Sequence, residues 1–470
     1  MSSLIKNEIT KILKKKSLYI MLIVILAYVI FANIMYKYAY SSTQNYIYSE
    51  SYIKMLEEDI KNLNPENLEE VDQYINSKTE IDTYNLIKEY DEDSWQYEVI
   101  LNKGTTYISA INYYTYKEKN SEALENAKIE YNNFVEKLNS NDWRKFASEE
   151  LELAKQNRIG MGKDTKDNMV DVEIETLQMR LDYNIEYGNN YKNQALSKYS
   201  QSKIQVLELE QNNNKGYDEK RAYQEAKADL EKSKYVIEND KDIFNEADAR
   251  GILLNLFTEY ELFIIIAIVL IAGAIVSEEF NKGTIKLLLV RPYSRTKILL
   301  SKFIVILLTV IFVILIVGIM QFIVGSIFFG FDSLKIPVVE YNHNTGALVE
   351  MSIIKNVILN ALGKLPIYIL LGTLAFALST LFCNTAVAIT ISLLGYMASS
   401  MVNQFAYYYN ITWLKYFVTP NWDFTQYLYG KLPTMEGLNI AFSIVICLIY
   451  FAIMMIPTFI VFRKRNIKNI

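Results

Sequence analysis

The side chains most able to do chemistry sit in one short run: Ser277-Glu278-Glu279-Phe280-Asn281-Lys282-Gly283-Thr284-Ile285-Lys286-Leu287-Leu288-Leu289-Val290-Arg291-Pro292-Tyr293-Ser294-Arg295. An acidic pair, a Gly-Thr turn, an apolar stretch and an Arg-Pro break are more than a plain connector needs. They suggest a short surface helix that presents a face to something. Elsewhere the signals are sparse. Cys383 and Cys447 both fall in apolar runs, so the polar part of the chain holds neither a disulfide framework nor a Cys-based zinc site. The single histidine, His343, reads as an ordinary loop histidine, and no metal site is expected. No HExxH, G-x-S-x-G or phosphate-cradling glycine loop occurs, so no catalytic residue is assigned and the chain is read as no enzyme.

These residues must be positioned by elements of two unlike materials. Residues 41–255 carry 27 Lys/Arg against 43 Asp/Glu, whereas the remainder carries 21 basic against 10 acidic residues. The acidic part has no basic face dense enough to grip phosphate, which excludes a nucleic-acid partner. The remainder is dominated by apolar runs long enough to cross a bilayer, for which roughly 20 helical residues suffice. Ser17–Tyr36 is the first, and it is too long for a signal-peptide core. The second runs from about Leu256 to Val276 and the third from Phe303 to Phe329. The 50 uncharged residues between Lys364 and Lys415 are too many for one crossing. Cys383-Asn384-Thr385 divides them into Leu365–Phe382 and Ala386–Phe405, a tight hairpin of two spans. The sixth is Leu438–Phe462. No span has a charge near its centre, and no buried charged cluster marks an ion relay.

The short segments before span 1, between spans 2 and 3, and after span 6 each carry a net charge of +4, while those at 331–364 and 406–436 net zero. The positive-inside rule then puts both termini in the cytoplasm and residues 37–255 outside. Within that outer part, Leu124, Ala127, Tyr131, Phe134 and Leu138 recur at helical spacing, as do Val170, Ile174, Leu177, Leu181 and Ile185. Gly160-Met161-Gly162 and Asn212-Asn213-Asn214-Lys215-Gly216 break it into pieces. The expected fold is all-α, a polytopic membrane protein of six transmembrane helices with a large, mainly helical extracellular domain between helices 1 and 2. The divisions are a cytoplasmic helix (1–16), span 1 (17–36), the extracellular domain (37–255), span 2 (256–277), a cytoplasmic segment (278–302), spans 3 to 6 (303–462) and a basic tail (463–470).

Leu4, Ile5, Ile9, Ile12 and Leu13 form one apolar face of the first helix, with lysines on its other faces. Such a helix lies along the inner membrane surface. Glu8 is the acidic residue among Lys6, Lys11, Lys14, Lys15 and Lys16.

Together these features resemble the permease subunits of type-two ABC exporters, the group of bacitracin-resistance and sodium-export permeases. In that family acidic residues closing the second span precede a Gly-Thr and then a Pro-Tyr/Val-Ser-Arg stretch. Here those positions are Glu278, Glu279, Gly283, Thr284, Pro292, Ser294 and Arg295. The start of the chain is similar to the family's elbow helix, and Leu378–Ala386 to its turn between spans 4 and 5. The resemblance implies a dimer of permeases, with the same or a related chain as second copy. It also implies separate cytoplasmic ATPase subunits that hold ATP and magnesium, since this chain has no GxxxxGK[ST] loop and no cofactor of its own. ATP-driven closure would push on the elbow helix and on 278–295, with Arg291 and Arg295 meeting the ATPase. A peptide, antibiotic (including antimicrobial peptide) or other hydrophobic substrate would leave the cell across the bacterial plasma membrane. The competing readings are a membrane-anchored receptor or scaffold and an ATP-independent channel or carrier.

Overall fold

A computed structural model describes residues 1–43, 49–92, 94–140, 142–161, 168–212, 215–286, 292–409 and 411–465. The chain divides into two compact units, Met1–Lys37 with Glu246–Ile470, and Tyr38–Asn245. The first contains six helices long and apolar enough to cross a membrane: Lys16–Tyr38, Glu261–Asn281, Arg295–Phe329, Ile353–Phe382, Thr385–Tyr408 and Ile440–Lys464, numbered here spans 1 to 6. A separate elbow helix, Ser2–Leu13, precedes them.

The span boundaries follow from local capping. Ser294, Ser352, Asn384 and Asn439 each accept the backbone N–H three residues on, starting spans 3, 4, 5 and 6. Span 4 ends at Cys383, whose left-handed backbone (φ 54°) turns the chain directly into the Asn384 cap. That is the two-span hairpin expected from Cys383-Asn384-Thr385. Span 3 differs from expectation. Its helix runs 35 residues from Arg295, not from Phe303, because the Ser294 cap lies nine residues before the apolar run. At 1.5 Å per residue it is about 50 Å long, more than a bilayer core needs. Residues 295–302, read as the end of the cytoplasmic segment, are therefore helical, and Lys302 belongs to that helix.

Spans 2 and 4 are the most enclosed, and spans 5 and 6 the least. Gly372 of span 4 lets the backbones close in. A Cβ there would meet Ile268 at 3.1 Å and Ile306 at 3.2 Å, from spans 2 and 3. The core around this point includes Ile264, Ile268, Val305, Ile306, Leu371 and Phe376.

Two features depart from an all-helical reading. Val338–Asn342 (β1) and Ala347–Met351 (β2) pair antiparallel, Val338 opposite Met351 and Asn342 opposite Ala347. The stretch between spans 5 and 6, read as a neutral loop, instead folds back among the spans. Fully buried Asn421 donates to the carbonyls of Lys415 and Phe417 and accepts from Ser443 Oγ at 2.6 Å. Its own carbonyl receives Cys447, seven residues beyond the start of span 6. Irregular backbone at such a place is tolerated because protein encloses it and supplies its hydrogen bonds.

Among its described residues the second unit is built of helices joined by turns, with no strand, and its longest helices are Ser121–Leu138, Trp143–Gly160, Tyr191–Gln211 and Tyr217–Asn239. The expected stripes are core positions in part. Ala127, Phe134, Leu138, Leu177 and Ile185 are buried, and Leu124, Tyr131, Val170, Ile174 and Leu181 half-buried. The break at 212–216 separates the last two helices, while that after Met161 falls largely outside the described residues.

Candidate functional site

The elbow helix, the end of span 2 and the start of span 3 converge on one buried ion cluster. Lys302 Nζ, with no exposure, donates to Glu8 Oε2 at 2.8 Å, Glu279 Oε1 at 2.9 Å and the carbonyl of Ile275 at 3.0 Å. Lys11 completes it, 3.0 Å from Glu8 Oε1 and 2.7 Å from Glu279 Oε1. Two ammoniums face two carboxylates, so the cluster is neutral. Charge pairs removed from water hold only when so closely matched. Burial disfavours the charge of Lys11, but its hydrogen bonds to Glu279 and Glu8 outweigh that and hold its ammonium above the usual lysine range. At the rim Glu278 takes Lys15 at 2.8 Å and Lys282 at 3.2 Å.

Ile5, Ile9 and Ile12 lie half-buried against the spans, as the apolar face requires. Leu13, expected on that face, is exposed, and Glu8 takes a buried place beside Leu4. The reason is the cluster: a carboxylate with two ammonium partners is cheaper to bury than the register of a purely apolar stripe suggests. Ser3 Oγ lies 3.2 Å from Tyr293 OH, a second tie from this helix to the connector.

The remaining connector residues fall into place around the cluster. Gly283 has φ +67°, the left-handed conformation that glycine adopts without strain, and its carbonyl-side turn brings Thr284 Oγ1 to the carbonyl of Glu279 at 3.4 Å. Pro292 is exposed just before the Ser294 cap. Arg291 lies outside the described residues. Arg295 Nη1 donates to the carbonyls of Arg463 and Arg465, at 3.1 and 2.7 Å. Arg465 in turn caps the end of span 4, donating to the carbonyls of Thr380 and Leu381 at 2.7 Å each and to Cys383 Sγ. Burial raises the Cys383 thiol above its ordinary range, and Arg465 offsets part of that. Ser277, where the span 2 helix is interrupted, is held by Ser379 Oγ and Thr385 Oγ1. The basic end of the unit is thereby stitched together across the elbow helix, spans 2 to 4, the turn into span 5 and the end of span 6.

The reading that no buried charged cluster exists is corrected by these contacts and by a second set. At the opposite end of span 2, Lys364 of span 4 lies 2.7 Å from Glu261 and 2.8 Å from Asp423. A neutral network joins Asn33, Gln321 and Tyr260, none with any exposure. The two amides exchange hydrogen bonds of 2.9 and 3.2 Å, and Tyr260 OH donates to Gln321 Oε1 at 2.6 Å. Each set draws its members from separate elements, which is why no local window of sequence displays it. Among the described residues no group of histidine, cysteine and carboxylate side chains could hold a metal ion.

This architecture defines an α-helical, polytopic membrane protein with six candidate spans. Residues 231–468, just over half the chain, match the family described as "Protein of unknown function (DUF2705)", and the chain belongs to that family. It is 35% identical over 201 residues to "Uncharacterized protein YhcI" of Bacillus subtilis (strain 168), a stretch covering 43% of this chain and 64% of that relative. It is 30% identical over 200 residues to "Uncharacterized membrane protein YdbK" of the same organism, covering 43% of this chain and 76% of the relative. No solved structure matches it.

Proposed function

We propose that this chain is the membrane-spanning permease subunit of an ATP-driven ABC exporter, working with separate cytoplasmic ATPase subunits and a second permease. The observation that carries the reading is the buried Glu8–Lys302–Glu279–Lys11 cluster. It makes the elbow helix, the acidic end of span 2 and the start of span 3 one mechanical piece. A push on the basic face at 278–295 then reaches spans 2 and 3 without being absorbed by a loose joint. The positive-inside bias makes that face cytoplasmic in a bacterial plasma membrane and sets the Tyr38–Asn245 unit outside. The substrate class that suits an external helical unit of this size is a peptide, antibiotic or other hydrophobic molecule. Glu278, Glu279, Gly283, Thr284, Arg291, Pro292 and Arg295 form the coupling segment, in which Arg295 acts by holding the span 6 tail in place.

Co-expression with a Walker-type ATPase encoded beside the gene tests this. The expected result is a stable complex whose ATPase activity depends on this chain. Gly283→Ala and Arg295→Ala should insert normally yet lose that stimulation and export. A chain that purifies without any ATPase, or variants that stimulate and export like the wild type, would sink the assignment.

A further inference from the structure

The two ion clusters differ in charge balance. Around Lys302 the charges cancel; around Lys364 one ammonium serves two carboxylates, leaving an excess of one negative charge. Of the oxygens not facing Lys364, that of Glu261 is incompletely used, whereas that of Asp423 already accepts twice. Glu261 Oε1 accepts from Tyr396 OH at a long 3.3 Å, and Asp423 Oδ1 from Thr425, by its backbone N–H at 3.0 Å and its hydroxyl at 2.5 Å. One turn along the same face of span 4 lies Tyr368, with no exposure. Its hydroxyl has no hydrogen-bond partner among the described residues, and it lies within electrostatic reach of Glu261, Asp423 and Tyr396. An orphaned buried hydroxyl and an uncompensated negative charge are each unfavourable. A single addition relieves both: a cationic group that can donate several hydrogen bonds. Lys364 already displays the matching coordination, two short charge-assisted bonds from one ammonium. Asp423, a third exposed, gives access.

We propose that Glu261, Asp423 and Tyr368 form a binding site for the primary ammonium group of a ligand, with Lys364 as the resident ammonium beside it. Ligand N–H groups donate to the carboxylate oxygens and to the phenol oxygen, and the site becomes neutral. Asp423 lies on the segment folded back between spans 5 and 6, so occupancy also ties that segment to spans 2 and 4. The proposal does not depend on an ATPase partner.

The test uses the full-length protein in lipid nanodiscs, with melting followed at matched ionic strength in methylammonium, tetramethylammonium, sodium or potassium chloride. Methylammonium should raise Tm by a few degrees over tetramethylammonium, which carries the charge without an N–H. Tyr368→Phe should melt no lower than wild type in tetramethylammonium, since it removes an unpartnered hydroxyl, yet lose the methylammonium response. Asp423→Asn should lose it too. Equal melting of the wild type in methylammonium and tetramethylammonium would overturn the proposal. So would an equal rise with sodium or potassium, or a full response in Tyr368→Phe.

Discussion

Lys302 and Glu8 stand 294 positions apart in the chain and 2.8 Å apart in space, both buried. With Lys11 and Glu279 they form a neutral quartet, and a quartet is sensitive to the loss of any one member. Lys302→Met should destabilise the membrane unit by about 3–5 kcal/mol, because it leaves a buried excess negative charge. Glu8→Gln leaves the opposite excess. The double variant restores neutrality and should be more stable than the sum of the single losses implies. Denaturant or thermal unfolding of the four proteins closes the cycle; simple additivity would mean the two residues do not act together.

The Asn33–Gln321–Tyr260 network makes a prediction of a different kind, since it carries no charge. Gln321→Leu removes the partner of Asn33 Oδ1 and of the Tyr260 hydroxyl, neither residue having access to water, while Asn33 Nδ2 keeps its bond to the Val29 carbonyl. A loss of about 1–3 kcal/mol is expected. Gln321→Glu, which keeps the acceptor for Tyr260, should be distinguished from it by unfolding at low pH, where the new carboxyl is neutral and can also donate.

Gly363 packs against the segment that folds back between spans 5 and 6. A Cβ there would lie 2.7 Å from Thr425 Cγ2, 3.0 Å from its backbone nitrogen and 3.2 Å from its Cα. Backbone cannot give way as a side-chain tip can. Gly363→Ala should therefore cost about 1–3 kcal/mol. It should also increase hydrogen exchange in residues 421–425, while exchange in span 1 stays unchanged.

In the second unit Tyr191 donates to Asp240, which also pairs with Lys192 at 2.7 Å. Burial first, and then that hydrogen bond, push the Tyr191 phenol up to about 12. Lys192 and Tyr191 hold the Asp240 carboxyl below its usual range. A raised phenol contributes stability that is complete below pH 10 and is lost as pH rises towards 12. The depressed carboxyl contributes stability that is lost as pH falls through its folded value, below the usual 3.8. Melting between pH 10 and 12 should fall less steeply in Tyr191→Phe than in wild type. An identical slope would remove Tyr191 from the account.

The six spans were legible before any coordinates, because a bilayer sets a length and an apolarity that a local window of residues either meets or fails to meet. Caps are equally local: Asn384 after Cys383, and Ser294 before Arg295, end and begin helices through the backbone within three residues. Glu278 and Glu279 also stood out, as an acidic pair closing an apolar run. Their partners were not. Lys302 and Lys364 each border an apolar run, where a lysine ordinarily reaches for water, and nothing nearby in the chain shows that Glu8 or Asp423 will meet them instead. The intramolecular acceptors of Arg295 were hidden for the same reason, since they lie 168 and 170 residues away. Likewise the uncharged average of the stretch after span 5 concealed Asn421, whose hydrogen bonds to Ser443 and Cys447 exist only once span 6 is packed beside it. Hydropathy and capping are sums over neighbours in sequence and can be read there. Neutralising a buried charge requires a counter-charge within about 3 Å, and which residue supplies it is decided only when distant helices pack.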